Sequence, residues 1–530
     1  MPFASAWSLW WTADRVAAGF RSFWDAPIFF PTPQSYAFSE PMLLEGLAAA
    51  PLQWLGASPV LACNLILLAA LVSNGAFALA LLRSLGLAPL AAIAGGALLC
   101  LLPFVHHELG VLTLVPLAGV LATLHALLAF SRRATLPRGL RLGIAFAAAY
   151  FLCGQNALFL ALVAGPAALC LASRAHLAPR SLLALAVAAA TAAVLLLPIA
   201  KTQIDVRRTH GFARPARLVA LGAAAPRDFW RAPTAPLLPF PGVHAAADPN
   251  QRALFPGALK LALALAGLAW GLRRADTRRF TAFLLATAAG AVALSMLPGW
   301  DSLGGAHRVL RALVPGLAQV RSFWRASMLM QVATALLAAA GIQALAEAAR
   351  RPLAPAARRA AKAAVIAVAL AASAELWPPA PGLSPAPSRE AWRPWLDAVE
   401  QRLPPGAALV HLPVPASEAV ADYEETARAM LLATAHGRPL VNGYSSYFPS
   451  GYRAFARFMR GCPAPEAWSL LHEVGLRLLS IRSSWLAADP GCGPAEPLYR
   501  RAAAYPELDV ELWEAVNASP PGPDDIRGAP

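Results

Sequence analysis

Ten apolar stretches, most of them long enough to cross a bilayer, lie between Pro59 and Trp377. A hydrocarbon core of roughly 30 Å takes about 20 mostly apolar residues in helical form. The stretches predict spans near 59–82, 89–104, 111–130, 142–152, 156–171, 181–200, 256–272, 280–297, 326–345 and 363–377. The fourth and the last are the shortest. With 58% hydrophobic and 14% charged residues, the chain reads as an α-helical polytopic membrane protein. A further apolar stretch, 42–54, is broken by Glu45 and Pro51 and reads as an interfacial or re-entrant helix.

The net charge of +15 would point to nucleic acid in a soluble protein. Here the excess sits in short loops, so nucleic acid is not an expected partner. Arg83, the cluster Arg132, Arg133, Arg138 and Arg141, the group Arg273, Arg274, Arg278 and Arg279, and the run from Arg350 to Lys362 all fall between alternate spans. The intervening short loops, at 106–110 and 154–155, carry no Lys or Arg. By the positive-inside rule the basic loops are cytoplasmic. Residues 1–58, the long loop 201–255 and everything after Trp377 then face outward.

The first residues lack the basic start and continuous apolar core of a signal peptide. Export of 1–58 therefore leads us to expect a further helix upstream of Met1. The other reading makes 42–54 a true span. Four of the six cysteines lie in or beside apolar spans; Cys462 and Cys492 stand in the tail and could form one disulfide in an oxidising compartment.

Residues 1–58 are rich in aromatics, and Trp7, Trp10, Trp11 and Arg15 follow helical spacing, which predicts a helix lying in the outer interface. After Trp377, 378–390 is a Pro-rich linker. Residues 391–530 alternate helix signals (393–402, 419–436, 464–474) with strand signals (408–413, 476–481), predicting a small α/β or α+β domain. No Walker loop, dinucleotide fingerprint or Ser-His-Asp arrangement is present in the sequence.

The segment FWDAPIFFPTPQSYAFSEPMLLEGLAAAPLQWL (23–55) resembles the first outer loop of a family of bacterial polytopic proteins similar to the GT-C glycosyltransferases. ALFPGALKLALALAGL (253–268), LAQVRSFWRASMLM (317–330), GRPLVNGYSSYFPSGYRAF (437–455) and LLHEVGLRLLSI (470–481) agree in order and place. The resemblance implies transfer of a sugar from a polyprenyl-phosphate carrier to a glycan or protein acceptor, on the outer face of a bacterial cytoplasmic membrane. It also implies an acid in the first outer loop, expected just after a first transmembrane helix and so upstream of Met1. The alternative is a non-catalytic relative, either an assembly partner or a lipid-linked-glycan transporter.

Candidate residues follow. Asp25 and Glu40 are acids of the first outer loop able to serve as a base, although Glu40 is equally placed to cap a helix starting at Pro41. His107 and Glu108, at the most polar point of an apolar hairpin, are candidate ligands for a divalent metal, the one cofactor expected. Arg308, Arg321 and Arg325 are candidate ligands for a carrier phosphate, with Arg321 and Arg325 read as one helical face. Asn442, Tyr444 and Tyr447 suit sugar recognition. Docking against the membrane domain is an equal alternative for that loop, and membrane lipids are the remaining expected partner.

Overall fold

The structure, a computed structural model, describes residues 2–516 apart from 249–250, 301–303, 351–354, 379, 381, 416, 418, 460, 489 and 495–496. The end of the expected tail domain and two linker positions therefore lie outside the described residues. The chain divides into two compact units. One comprises Met1–Leu65, Lys201–Phe212 and Leu383–Pro530; the other comprises Ile66–Ala200 and Ala213–Gly382. The first thus gathers residues from all three segments expected to face outward.

Among the described residues, seven helices are long and apolar enough to cross a membrane: Pro59–Ser84, Pro89–His107, Leu112–Arg132, Gly154–Leu171, Pro179–His210, Arg278–Gly299 and Phe323–Ala348. Each lies at an expected span. The other three expected spans are helical too but fall short. Ala258–Leu272 is apolar and 15 residues long, Leu136–Leu152 carries Arg138 and Arg141, and Pro355–Ala374 begins with a basic first half. In hydrocarbon a helix satisfies its own backbone groups, which is why Ala/Leu-rich stretches settle as helices.

Within this unit Ser327–Ala348 is the central helix, buried around most of its circumference. It meets Ala258–Leu272 at very short range. A Cβ on Gly267 would lie 2.6 Å from the Gly341 nitrogen, so both positions need a glycine's missing side chain. Gln331 on the same helix accepts from the Phe104 amide at 2.9 Å and donates to the Leu254 carbonyl at 3.3 Å. Those two bonds tie together the ends of three segments.

The other unit is built on a four-stranded sheet. Strand Leu409–Leu412 runs parallel to Leu478–Arg482, which pairs antiparallel with Val510–Ala515, which in turn pairs antiparallel with Tyr499–Tyr505. The N-terminal segment is stitched to its edge. The Leu440 amide donates to Pro27 O, and the Phe30 amide to Leu440 O, both at 3.0 Å. Helices Arg393–Arg402, Glu424–His436 and Pro465–Glu473 lie where helix signals were read, and an α+β domain results. Cys462 and Cys492 form a disulfide.

The N-terminal helix, Pro2–Ala17, differs from expectation. Trp7 and Trp11 are buried in protein (2% and 5% exposed) rather than turned to a membrane surface. Their rings stack 6.4 Å apart, and Tyr36 meets both edge-on. The helical spacing that suggested an interfacial face is the packing face of this knot. Leu43–Trp54 forms a helix of 12 residues, about 18 Å long, too short for a span.

Candidate functional site

In the membrane unit the site grows from a break in an apolar helix. The Pro89–Cys100 helix ends, and Pro103 restarts a short helical segment, Pro103–His107, because proline suits a first helical turn. His106 Nε2 is held on the Cys100 carbonyl at 2.9 Å. The His107 ring meets Trp324 edge-on at 5.7 Å, and Phe104 lies against the same indole at 5.8 Å. Glu108 follows with its carboxylate buried.

That carboxylate accepts from Arg325 Nη2 at 3.1 Å, with side-chain exposures of 6% for Glu108 and 19% for Arg325. Arg325 is placed by its neighbours. The Trp324 amide donates to Gly222 O at 3.0 Å, and Gln155 Nε2 donates to Ser322 O at 3.2 Å. A guanidinium has five N–H donors. Arg325 Nε is buried and without a hydrogen-bond partner, so the group retains capacity for a further acceptor.

A second buried cation lies in this unit. Lys260 is 2% exposed and its Nζ has no hydrogen-bond partner. The nearby Glu375 carboxylate is committed to the start of the Ala258–Leu272 helix, accepting from the Leu259 amide at 2.9 and 3.1 Å and from the Lys260 amide at 3.4 Å. Sequence reasoning passed over Lys260. Its signal was a lone charge inside an apolar run, and ionisable groups at membrane depth are costly enough to need a reason.

The other predicted arginines, Arg308 and Arg321, are exposed. Arg321 and Arg325 do not share a helical face, because the helical turn begins only at Phe323 and Arg321 precedes it, exposed. Arg308 is exposed on the helix Gly304–Leu313. On that helix His307 turns inward, its ring edge-on to Phe323 at 5.1 Å, and burial followed by the Arg311 charge holds its pKa below the usual range.

In the other unit the first-loop acids occupy different settings. Asp25 is exposed, and its Oδ1 accepts from the Gln34 amide at 2.9 Å. Asp14 is paired with Arg15. Glu40 is half-buried. Glu45 is 3% exposed, and neither carboxylate oxygen has a hydrogen-bond partner. Burial pushes its pKa well above the usual range; its own amide works against that rise, and the charge of Glu40 adds to it. Tyr36, whose hydroxyl touches Thr12 Oγ1 at 2.9 Å and donates to Pro41 O at 2.7 Å, is raised chiefly by burial as well.

The loop 442–452 divides by residue. Asn442 is buried with its amide committed to the strand, donating to His411 O at 2.8 Å and accepting from the His411 amide at 2.6 Å. It clasps backbone, which leaves no role for it in holding sugar. Tyr444 lies against Tyr423 at 5.5 Å, and Tyr447 stacks on Phe212 at 4.5 Å; both are half-buried.

The residues expected to hold a metal do not make a fitting donor set. Glu108 already carries a guanidinium, and among the described residues no three His, Cys, Asp or Glu side chains form a metal-holding group.

No protein-family model matches the sequence, and no curated protein does. Solved structures do. The arabinofuranosyltransferase AftD from Mycobacteria, seen by single-particle cryo-electron microscopy, aligns with 97% of this chain at TM-score 0.57 and 18% identity. A mutant of that protein aligns with 96% of it at TM-score 0.56 and 17% identity. The chain spans about two fifths of those structures, 40% and 39% of their length. ArnT from Cupriavidus metallidurans aligns over 98% of this chain and 94% of its own, at TM-score 0.49 and 12% identity. What the two AftD likenesses carry is architecture alone: the chain has a GT-C-type fold, a helical membrane protein with a small strand-containing C-terminal region.

Proposed function

We propose that this chain transfers a sugar from a polyprenyl-phosphate carrier to a glycan or protein acceptor on the outer face of a bacterial cytoplasmic membrane. The observation that carries this reading is Arg325, anchored by Glu108 and left with a buried, unpartnered Nε. A guanidinium held this way suits a phosphate, which offers several acceptor oxygens and negative charge. Lys260 is the second cation we assign to the donor.

In the reaction, an acceptor hydroxyl oxygen attacks the anomeric carbon and the bond from that carbon to the phosphate oxygen breaks. The electron pair leaves with the carrier phosphate, whose growing charge Arg325 offsets. The acceptor proton passes to a carboxylate base. Outward placement is supported by the Cys462–Cys492 disulfide, which persists in oxidising compartments. A second reading, lipid-linked-glycan handling without transfer, draws on the commitment of Asp25 to the Gln34 amide and of Asp14 to Arg15.

The test is transfer of labelled sugar in proteoliposomes holding the full-length gene product, with a panel of polyprenyl-phosphate sugars. We expect Arg325→Ala to lower transfer by about 10²-fold. Equal transfer by the variant and the wild type would remove the assigned chemistry. No transfer by the wild-type protein from any donor would favour the second reading.

A further inference from the structure

Two histidines of the sheet-containing unit face one another across a tryptophan, and nothing in the proposed reaction uses them. His411 lies on the strand Leu409–Leu412, and His436 ends the helix Glu424–His436. Trp395, fully buried on the helix Arg393–Arg402, has its ring centroid 5.5 Å from that of His411 and 5.7 Å from that of His436. Their polar atoms are stranded. His411 Nε2, His436 Nε2 and Trp395 Nε1 are enclosed without hydrogen-bond partners, and so is Oγ of Ser480, the residue paired with His411 on the neighbouring strand.

The protonation that the fold accepts is legible from these contacts. His436 Nδ1 accepts from the Arg438 amide at 3.0 Å, so the proton of the neutral ring sits on Nε2. A second proton would break that bond and place a cation where no acceptor waits. The ion whose field reaches His436 is Arg438, of the same sign, held in place by donating to Leu403 O at 2.7 Å and Glu400 O at 3.4 Å. The helix Arg393–Arg402 contributes an indole N–H, the strand Leu478–Arg482 a hydroxyl, and the two histidines repel each other once charged. Burial pushes His436 down to about 3, helped by His411 and Arg438, and pushes His411 down to about 4.

Both rings flank one loop. Residue 437 follows His436 directly, and the backbone of His411 is clasped on both sides by the amide of Asn442. The Val441 amide donates to Leu409 O at 2.9 Å. We propose that His411 and His436, with Trp395 between them, are an acid-sensitive latch. Neutral rings hold loop 437–448, and with it Tyr444 and Tyr447, on the sheet edge; protonated rings release it. The latch stands whether or not the chain transfers a sugar.

Hydrogen–deuterium exchange of the full chain in nanodiscs, corrected for intrinsic rates, tests this at about pH 7.5 and about pH 5. We expect protection of 437–448 to fall at least about tenfold at the lower pH, because the released state binds more protons. The strand Val510–Ala515 should keep its protection. The double variant His411→Gln/His436→Gln should hold the loop equally at both values. Unchanged wild-type protection, or a double variant that loses the loop as the wild type does, would overturn the latch. Should the variant not fold, C2–H exchange of the two rings in the wild type decides: titration near the ordinary value of about 6.5 would also overturn it.

Discussion

Arg325 donates to Glu108 at 3.1 Å, joining residues 217 positions apart in the chain. Removing one member of a buried ion pair leaves the other uncompensated, at a cost of about 3–5 kcal/mol. We expect Glu108→Ala and Arg325→Ala each to lower the unfolding temperature, with the partly exposed Arg325 at the smaller end. The double variant should lose less than the sum, by about 1–3 kcal/mol in a double-mutant cycle. Additive losses in thermal unfolding of the detergent-solubilised protein would show that the pair does not couple.

Glu45 gives a prediction with an unusual sign. Its pKa is raised by burial, so the native state keeps a proton that the unfolded chain releases. Its contribution to stability is therefore intact below the unfolded value, about 4.5, and declines as pH rises toward the folded value. Glu45→Gln removes that decline. Melting temperature against pH should be flatter in the variant, and higher than wild type at about pH 8. A variant that melts lower than wild type there contradicts an acid buried without partners.

Gly222 sets the path into Arg325. A side chain there would run into the Arg321 carbonyl, while the Gly222 carbonyl receives the Trp324 amide. Gly222→Ala should displace 321–325 and reduce sugar transfer by about tenfold or more, because small misplacements of a positioning group are costly. Gly110→Ala, where a Cβ meets nothing within 4 Å, serves as the matched control. Equal transfer by both variants would mean that the approach at Gly222 does not govern the site.

The disulfide between Cys462 and Cys492 closes a separation of 30 residues. Loop closure of that length restricts the unfolded chain by about 2–4 kcal/mol. Cys462→Ser should lower the stability of this unit by that amount. Alkylation of intact cells before and after reduction should find the pair oxidised if the unit lies outside, and free thiols if it lies in the cytosol.

The spans were legible because a helix in hydrocarbon announces itself by composition over about 20 residues. The two ends of the Glu108–Arg325 pair were also legible, each as a polar residue beside apolar helices. Their pairing was not, since it depends on how helices far apart in sequence come together. The shared face read for Arg321 and Arg325 failed because helix onset shifted it: the turn begins at Phe323. Asn442 looked like a ligand because a turn-forming amide and a sugar-binding amide have the same chemistry, and only the His411 backbone tells them apart. The hairpin of Tyr499–Tyr505 and Val510–Ala515 went unread because YRRAAAY contains no β-branched residue and no apolar alternation.

Affinity for the lipid carrier itself probes the assigned donor site most closely, without requiring the right sugar or acceptor. The measurement is the dissociation constant of polyprenyl phosphate for the full-length protein in nanodiscs, wild type against Arg325→Gln. We expect saturable wild-type binding, weakened by about tenfold or more when the guanidinium is lost, as befits a charge-assisted phosphate contact. No saturable binding by the wild type, or equal affinity in the two proteins, would contradict the assignment of Arg325 to the carrier phosphate.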